Sequence, residues 1–399
     1  MSSKQWICGC VLVLTAVTAA HATTFFVDTG RGDDANSGLS AADPFLTIQQ
    51  AIEVAAAQPG PDLIQIAAGE YLENLAIHDA DGLTLSGASD VVVVAADPGK
   101  DVVKISWGDV SITGLAITGG SKGITPTGSA ETPVSLSLRD VVVTANTGDG
   151  VKPTSVGEIR ASHCTFLAND GTGLKVQFAD SMTVSDCVFE DNGGRGLRAE
   201  DVRSVTVSHC QLLNNNDDGM KVVTVTLDRT ESNLSISDTT ISGSADDAID
   251  LELLGDIRLT NVTVRDTVGD DGISVDDSVS VSVVSSTFTN GAADGLDMDD
   301  TQSIRLVNVV STGNGVSGFQ VTAEEHFNVE SLSIVDSEFS DNSLDGIWIK
   351  EEGTVVERAS LTSVTATGNA GCGLNLGVSG MVKLNAITSE GNGAEDVLP

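Results

Sequence analysis

The chain has 399 residues, with 57 Asp and Glu against 20 Lys and Arg and a formal net charge of −37. So acidic a surface repels phosphate backbones, which excludes nucleic acid as a general partner. Solubility in salty surroundings and the binding of divalent cations both suit it.

Residues 6–22, WICGCVLVLTAVTAAHA, follow Lys4 with an apolar run and close on the small-residue pattern Ala20-His21-Ala22. This predicts a secretory signal peptide over 1–22, cut after Ala22 and too short for a membrane span. A secreted or periplasmic protein is the expectation. A cap follows over 23–60. Within it PFLTIQQAIEVAAA at 44–57 spaces Phe45, Ile48, Ile52 and Val54 to Ala56 as one face of a helix, with Pro at its start. Such a helix would plug the end of a coil and cover its strand edges.

From 61 to 399 the chain reads as a solenoid. Ten copies of one phrase recur, among them GTGLKV, GRGLRA, DDGMKV, DDAIDL and ADGLDM, centred on Gly150, Gly173, Gly196, Gly219, Ala248, Gly272, Gly295, Gly318, Gly346 and Gly373. Their steps are 23, 23, 23, 29, 24, 23, 23, 28 and 27 residues. After each central residue the pattern alternates, as in Leu174, Lys175, Val176 and Gln177, a strand with its first and third members facing inward. About 23 residues hold three short strands and no useful helix. The fold class is therefore all-β, a right-handed parallel β-helix of about 12–13 rungs, each stacked ~4.8 Å from the last. It forms a single elongated domain, expected to be a monomer.

Two further columns share this register. Asn146, Asn169, Asn192 and Asn215 step by 23 before the glycine turn, where Asn tolerates a left-handed backbone and stacked amides can bond along the column. Cys164, Cys187 and Cys210 also step by 23. Their spacing permits one disulfide, with buried thiols as the simpler expectation. His163 and His209 precede two of them, but alternation turns His outward and Cys inward, which rules out a shared zinc.

At the second position after the central residue, the outward side chains run Lys152, Lys175, Arg198, Lys221, Asp250, Ser274, Asp297, Gln320, Trp348 and Asn375. Four stacked cations would suit a linear polyanion such as a uronic-acid polysaccharide. Trp348 would stack on a sugar ring, and neutralisation of nearby acids is the plainer alternative for the cations. Beside the strip stand Asp218, Asp247, Asp271 and Asp294, with Asp217, Asp246 and Asp270 just before three of them. Like charges ~5 Å apart repel by about 3 kcal/mol at an effective dielectric near 20. Such a column therefore has to be well solvated or share cations, and converging carboxylates suit Ca²⁺. Asp-Gly turn chemistry is the alternative. Extra residues near 224–232, 322–330 and 351–358 place three loops on one rim of the strip.

The segment FFVDTGRGDDANSGLSAADPFLTIQQAIEVAAAQPGPDLIQIAAGEYLENLAI resembles the cap and first rung of secreted pectate-lyase-like β-helix proteins. Asp246, Asp247 and Asp250 form a D-D-x-x-D group, with Asp218 on the preceding rung. That set is similar to the Ca²⁺ ligands of family 9 polysaccharide lyases. Asp271, Asp294 and Asp297 offer a second register. The resemblance implies Ca²⁺-assisted β-elimination with a Lys base, yet Ser274 or Gln320 stands where that Lys belongs. Lys221 and Lys350 are the lysines left for the role. Galacturonase-type Gly-His-Gly and Arg-x-Lys elements are missing from the sequence. The expected function is binding or cleavage of an acidic polysaccharide, and the alternative is a non-catalytic, adhesin-like or glycan-binding solenoid.

Overall fold

Alternation at each turn becomes parallel pairing between turns. The computed structural model describes residues 22–58, 60–78, 80–129, 131–132, 134–322, 328–350, 356–377, 380–394 and 397–398. The expected leader, except Ala22, and most of the loops near 322–330 and 351–358 lie outside them. Leu174–Ser185 pairs with Leu197–Ser208 at an offset of 23 residues, and Met220–Val223 pairs with Ile249–Glu252 at the offset of 29. The coil makes about 14 turns. Early turns such as Leu75–Ile77 and Val103–Ile105 pair in the same way but lack the glycine phrase that marks the rest.

The inward members fill the coil: Leu174, Val176, Leu197, Ala199, Met220 and Val222 are all buried, and a large one contributes about 2 kcal/mol on leaving water. Phe166 and Phe189 stack with centroids 4.6 Å apart and planes 5° from parallel, which reproduces the spacing between rungs. Glycine is needed at the column head because of close approach. A Cβ on Gly173 would stand 2.7 Å from the Gly196 carbonyl and 3.1 Å from the Asn192 amide.

The Asn column is an amide ladder. Asn146, Asn169 and Asn192 each donate from Nδ2 to Oδ1 of the next member, at 2.9, 3.1 and 3.0 Å. The left-handed backbone belongs to the residue before each Asn, at Ala145, Ala168, Asp191 and Asn214 with φ near 52°. Asn itself supplies the internal hydrogen bonds of the turn rather than its strained dihedral, contrary to the sequence expectation. A second ladder, Asn314, Asn342, Asn369 and Asn392, repeats the geometry further along. Between the two, the column holds Ser244, Thr267 and Gly291, as the stacking of their backbones shows. Cys164, Cys187, Cys210 and Cys372 are buried. His163 and His209 point outward, as alternation requires.

At the N-terminal end, α1 (Ile48–Ala56) buries Ile48, Ala51, Ile52 and Ala55 over the first turns. Thr47 caps it by accepting from the Gln50 amide, and the Glu73 carboxylate accepts from Ile48 and Gln49 at 2.9 Å each. First-turn amides that a helix cannot satisfy itself are thereby paired. Among the described residues no helix is long and apolar enough to cross a membrane.

Candidate functional site

The outward strip is continuous. Lys175 lies in register with Arg198, Arg198 with Lys221, Lys221 with Asp250, Asp250 with Ser274, and Ser274 with Asp297. Gln320, Trp348 and Asn375 follow. Lys152 precedes Lys175. The strip begins earlier than the glycine phrase revealed, because Lys104 pairs with Thr125 in the turns before Lys152. Only the Val-Lys-Ile alternation of 103–105 signals that position.

Most of the strip cations are engaged. Lys152 lies 3.9 Å from Asp149, and Arg198 is 2.8 Å from Glu200. Lys221 holds Asp250 at 2.5 Å and also pairs with Glu252. Burial pulls the Lys221 pKa down, but its hydrogen bonds to both carboxylates outweigh this and hold the ammonium above its ordinary range. A base must be neutral, so these ion pairs oppose the role of base expected of Lys221. Lys104 and Lys175 have no ion-pair partner among the described residues. Lys350 lies over the Trp348 ring, 5.2 Å from its centroid, and its charge favours ionised Asp294 and Asp297.

Most of the Asp column is buried rather than well solvated, with Asp247 half-buried. Asp218 is 1% exposed, and Asp271 and Asp294 are also buried. The reason is a ladder of its own: Asp247 Oδ1 accepts from the Asp271 amide at 2.8 Å, and Asp271 Oδ1 from the Asp294 amide at 2.7 Å. Asp294 Oδ1 accepts from the Ser317 amide. One oxygen of each thus does the turn chemistry that the Asp-Gly pattern suggested, and the other stays on the acid face. Arg195 closes the start of the run, 2.6 Å from Asp218 and 3.1 Å from Asp217.

Between Arg195 and Lys350 the carboxyls outnumber the cations, and their pKa values rise. Burial is the first cause throughout, with like charges adding. Asp218 is pushed up to about 6 against the pull of Arg195. Asp247 goes to about 8, Asp271 to about 9, Asp294 to about 6 and Asp297 to about 7. Carboxylate oxygens of Asp218, Asp247 and Asp250 lie within 4.8 Å of one another, as do those of Asp247, Asp270 and Asp271, and of Asp217, Asp218 and Asp246. Among the described residues Asp271, Asp294 and Asp297 do not form such a trio. Hard oxygens converging with excess negative charge are a donor set that fits Ca²⁺. A second hollow of about 310 Å³ beside the strip is lined by Glu252, Leu253, Asp276, Asp277, Asp299 and Asp300. Burial, then the charge of Asp299, pushes Asp276 up to about 7. Its signal in the sequence is the fourth position after the glycine column.

The family described as "Right handed beta helix region" matches residues 102–226 and 223–393. The chain belongs to the right-handed β-helix family. Solved structures of this shape include the A-module of mannuronan C-5 epimerase AlgE6 from Azotobacter vinelandii. It is 16% identical, with 88% of this chain and 94% of that one covered at a TM-score of 0.57. The catalytic unit of GH87 α-1,3-glucanase from Streptomyces thermodiastaticus is 14% identical (94% and 69% covered, TM-score 0.51). Tailspike protein 3 of bacteriophage CBA120 is 13% identical (94% and 62%, TM-score 0.51). No curated protein matches the sequence. At these identities the likeness establishes the β-helix fold, while chemistry has to be argued from the strip.

Among the described residues two aromatic rings are exposed, Phe178 at 42% and Trp107 at 40%. Phe178 sits at a corner with φ of 59°, a left-handed conformation that costs a bulky residue about 1–2 kcal/mol. Neighbouring turns place Ser155 and Asp201 at that corner.

Proposed function

We propose that the chain is a secreted carbohydrate-active protein that binds an acidic, uronate-containing polysaccharide lengthwise along the outward strip. The observation that carries this reading is the unbroken register that aligns Lys152, Lys175, Arg198 and Lys221 with the acids beyond them. A row of cations at rung spacing matches a linear polyanion in charge and in direction. The polysaccharide-acting neighbours in the same fold are consistent with it.

Asp218, Asp247 and Asp250 would hold Ca²⁺, with Asp246, Asp270 and Asp271 around them. When bound, the ion neutralises a substrate carboxylate and acidifies the adjacent C–H. The chain's own part is to orient the sugar through the strip cations and to supply a base. With Lys221 held charged by Asp250 and Glu252, Lys350 is the lysine that remains for β-elimination. It stands four turns beyond Asp250 and near Asp294 and Asp297, so it would serve a sugar bound there rather than one at the Asp218 trio. A second reading, a non-catalytic glycan-binding or adhesin-like solenoid, is favoured by that same engagement of Lys221. Incubation with polygalacturonate and alginate, with Ca²⁺ or with EDTA, separates the two. Growth of ultraviolet absorbance from unsaturated product supports the lyase, binding without product supports the second reading, and no binding of either polymer refutes both.

A further inference from the structure

The strip lysines without ion-pair partners each carry an exposed aromatic ring three residues on. Lys104 is followed by Trp107, and Lys175 by Phe178. The equivalent residues after Lys152, Arg198 and Lys221 are Ser155, Asp201 and Thr224, and those three cations have carboxylate partners within the chain. A free ammonium and a bare ring therefore occur together, and neither occurs on the turns between or just beyond.

We propose that Lys104–Trp107 and Lys175–Phe178 are two equivalent uronate subsites, the ammonium taking the sugar carboxylate and the ring taking the apolar face of the pyranose. The inference rests on the polysaccharide reading above and names where the chain is gripped.

Geometry supports the pairing. Lys104 is in register with Thr125, whose next neighbours along the strip are Lys152 and then Lys175. The two subsites are thus three turns apart, ~14 Å or roughly three sugar units along the axis. Thr127 pairs with Thr154 and Thr154 with Gln177, so the corners that follow them, at Gly128, Ser155 and Phe178, stack in one column; Trp107 occupies the equivalent corner a turn before Gly128. Both rings thereby stand on the same rim of the strip. Among the described residues most other aromatic rings are hidden, with Phe166, Phe189, Phe288, Phe319 and Phe339 fully buried, while Phe26 and Trp348 are half-buried. An aromatic side chain kept exposed, and at Phe178 kept in a left-handed backbone, is a local cost of the kind that accompanies a binding role.

The test measures binding of oligogalacturonate and oligomannuronate trimers and hexamers by calorimetry, with a neutral glucan hexamer as control. Trp107 fluorescence is followed in a Trp348→Phe background. Phe178→Asn is the decisive variant, because Asn accepts the left-handed corner without strain. It should keep or raise the melting temperature while weakening the hexamer at least fivefold, and Phe178→Trp should restore affinity. Hexamer should outbind trimer by tenfold or more, since only it reaches both rings. Unchanged hexamer affinity in both Phe178→Asn and Trp107→Ala would overturn the subsites. If the lysine variants Lys104→Gln and Lys175→Gln alone weaken binding, the polysaccharide reading stands and the rings are dismissed. A neutral hexamer bound through Phe178 as tightly as the uronates would retain the rings and refute the uronate assignment, and no binding by the parent protein would refute both.

Discussion

Replacing Asp247 by Asn should stabilise the metal-free protein and abolish its response to Ca²⁺. Asp247 belongs to two carboxylate trios, and its Oδ1 accepts from the Asp271 amide at 2.8 Å. Asn keeps that acceptor and removes the charge. Burial pushes the Asp247 pKa from its ordinary 3.8 up to about 8, so at pH 7 the folded chain holds a proton that the unfolded chain has released. Each unit between costs about 1.4 kcal/mol. Partial solvent access reduces the total to on the order of 2–3 kcal/mol. In EDTA the variant should therefore melt about 3 °C higher than the parent. With Ca²⁺ at about a hundred times its Kd the parent should gain about 2.7 kcal/mol, and Asp247→Asn should gain little. Calorimetric melting with EDTA and with Ca²⁺, at fixed protein concentration, reads both effects. A variant less stable in EDTA, or one with the parent's full Ca²⁺ response, would refute the reasoning.

Other expectations follow from the same groups. Raised carboxyl pKa values mean that stability is fully present below pH ~4 and lost as pH climbs through the folded values of Asp276 and Asp297 at about 7, Asp247 at about 8 and Asp271 at about 9. Metal-free melting temperature should fall from pH 5 to 9, and Ca²⁺ should flatten the fall. If polyuronate elimination is detected, Lys221→Gln should leave its kcat within a few-fold, whereas Lys350→Ala should lower it by about 10²–10⁴; the reverse pattern would restore Lys221 as base. Asn192→Ala removes the acceptor of the Asn169 amide and side chain and the donor to the Phe166 carbonyl. It should destabilise by about 2–4 kcal/mol by stranding buried polar groups, measured by denaturant melting.

The fold was legible because its repeat is local: a glycine that admits the next carbonyl, then two inward apolar residues, recurs wherever the turn is regular. The order along the strip followed from the register, since each step of 23, 24 or 29 residues was absorbed at a loop without shifting the pairing. Burial of the Asp column was not legible, because Asp-Gly reads equally as an exposed turn and as a carboxylate accepting an amide from the next rung. The fate of Lys221 was hidden for a related reason. Its partners, Asp250 and Glu252, lie 29 and 31 residues on, and only the stacked geometry shows both converging on one ammonium. Lys104 and Trp107 escaped notice because their turn has no glycine to mark it.

The gap between the two amide ladders has a mechanical meaning. At Ser244 and Thr267 the buried hydroxyls find no hydrogen-bond partner, and these same turns carry Asp247 and Asp271. The spindle thus has two amide-laddered stretches and, between them, a collar without that ladder, where strand pairing continues and the carboxyls crowd. Pulled from its ends, it should part there first. An ion lodged among those acids would act as a rivet across the weakest seam.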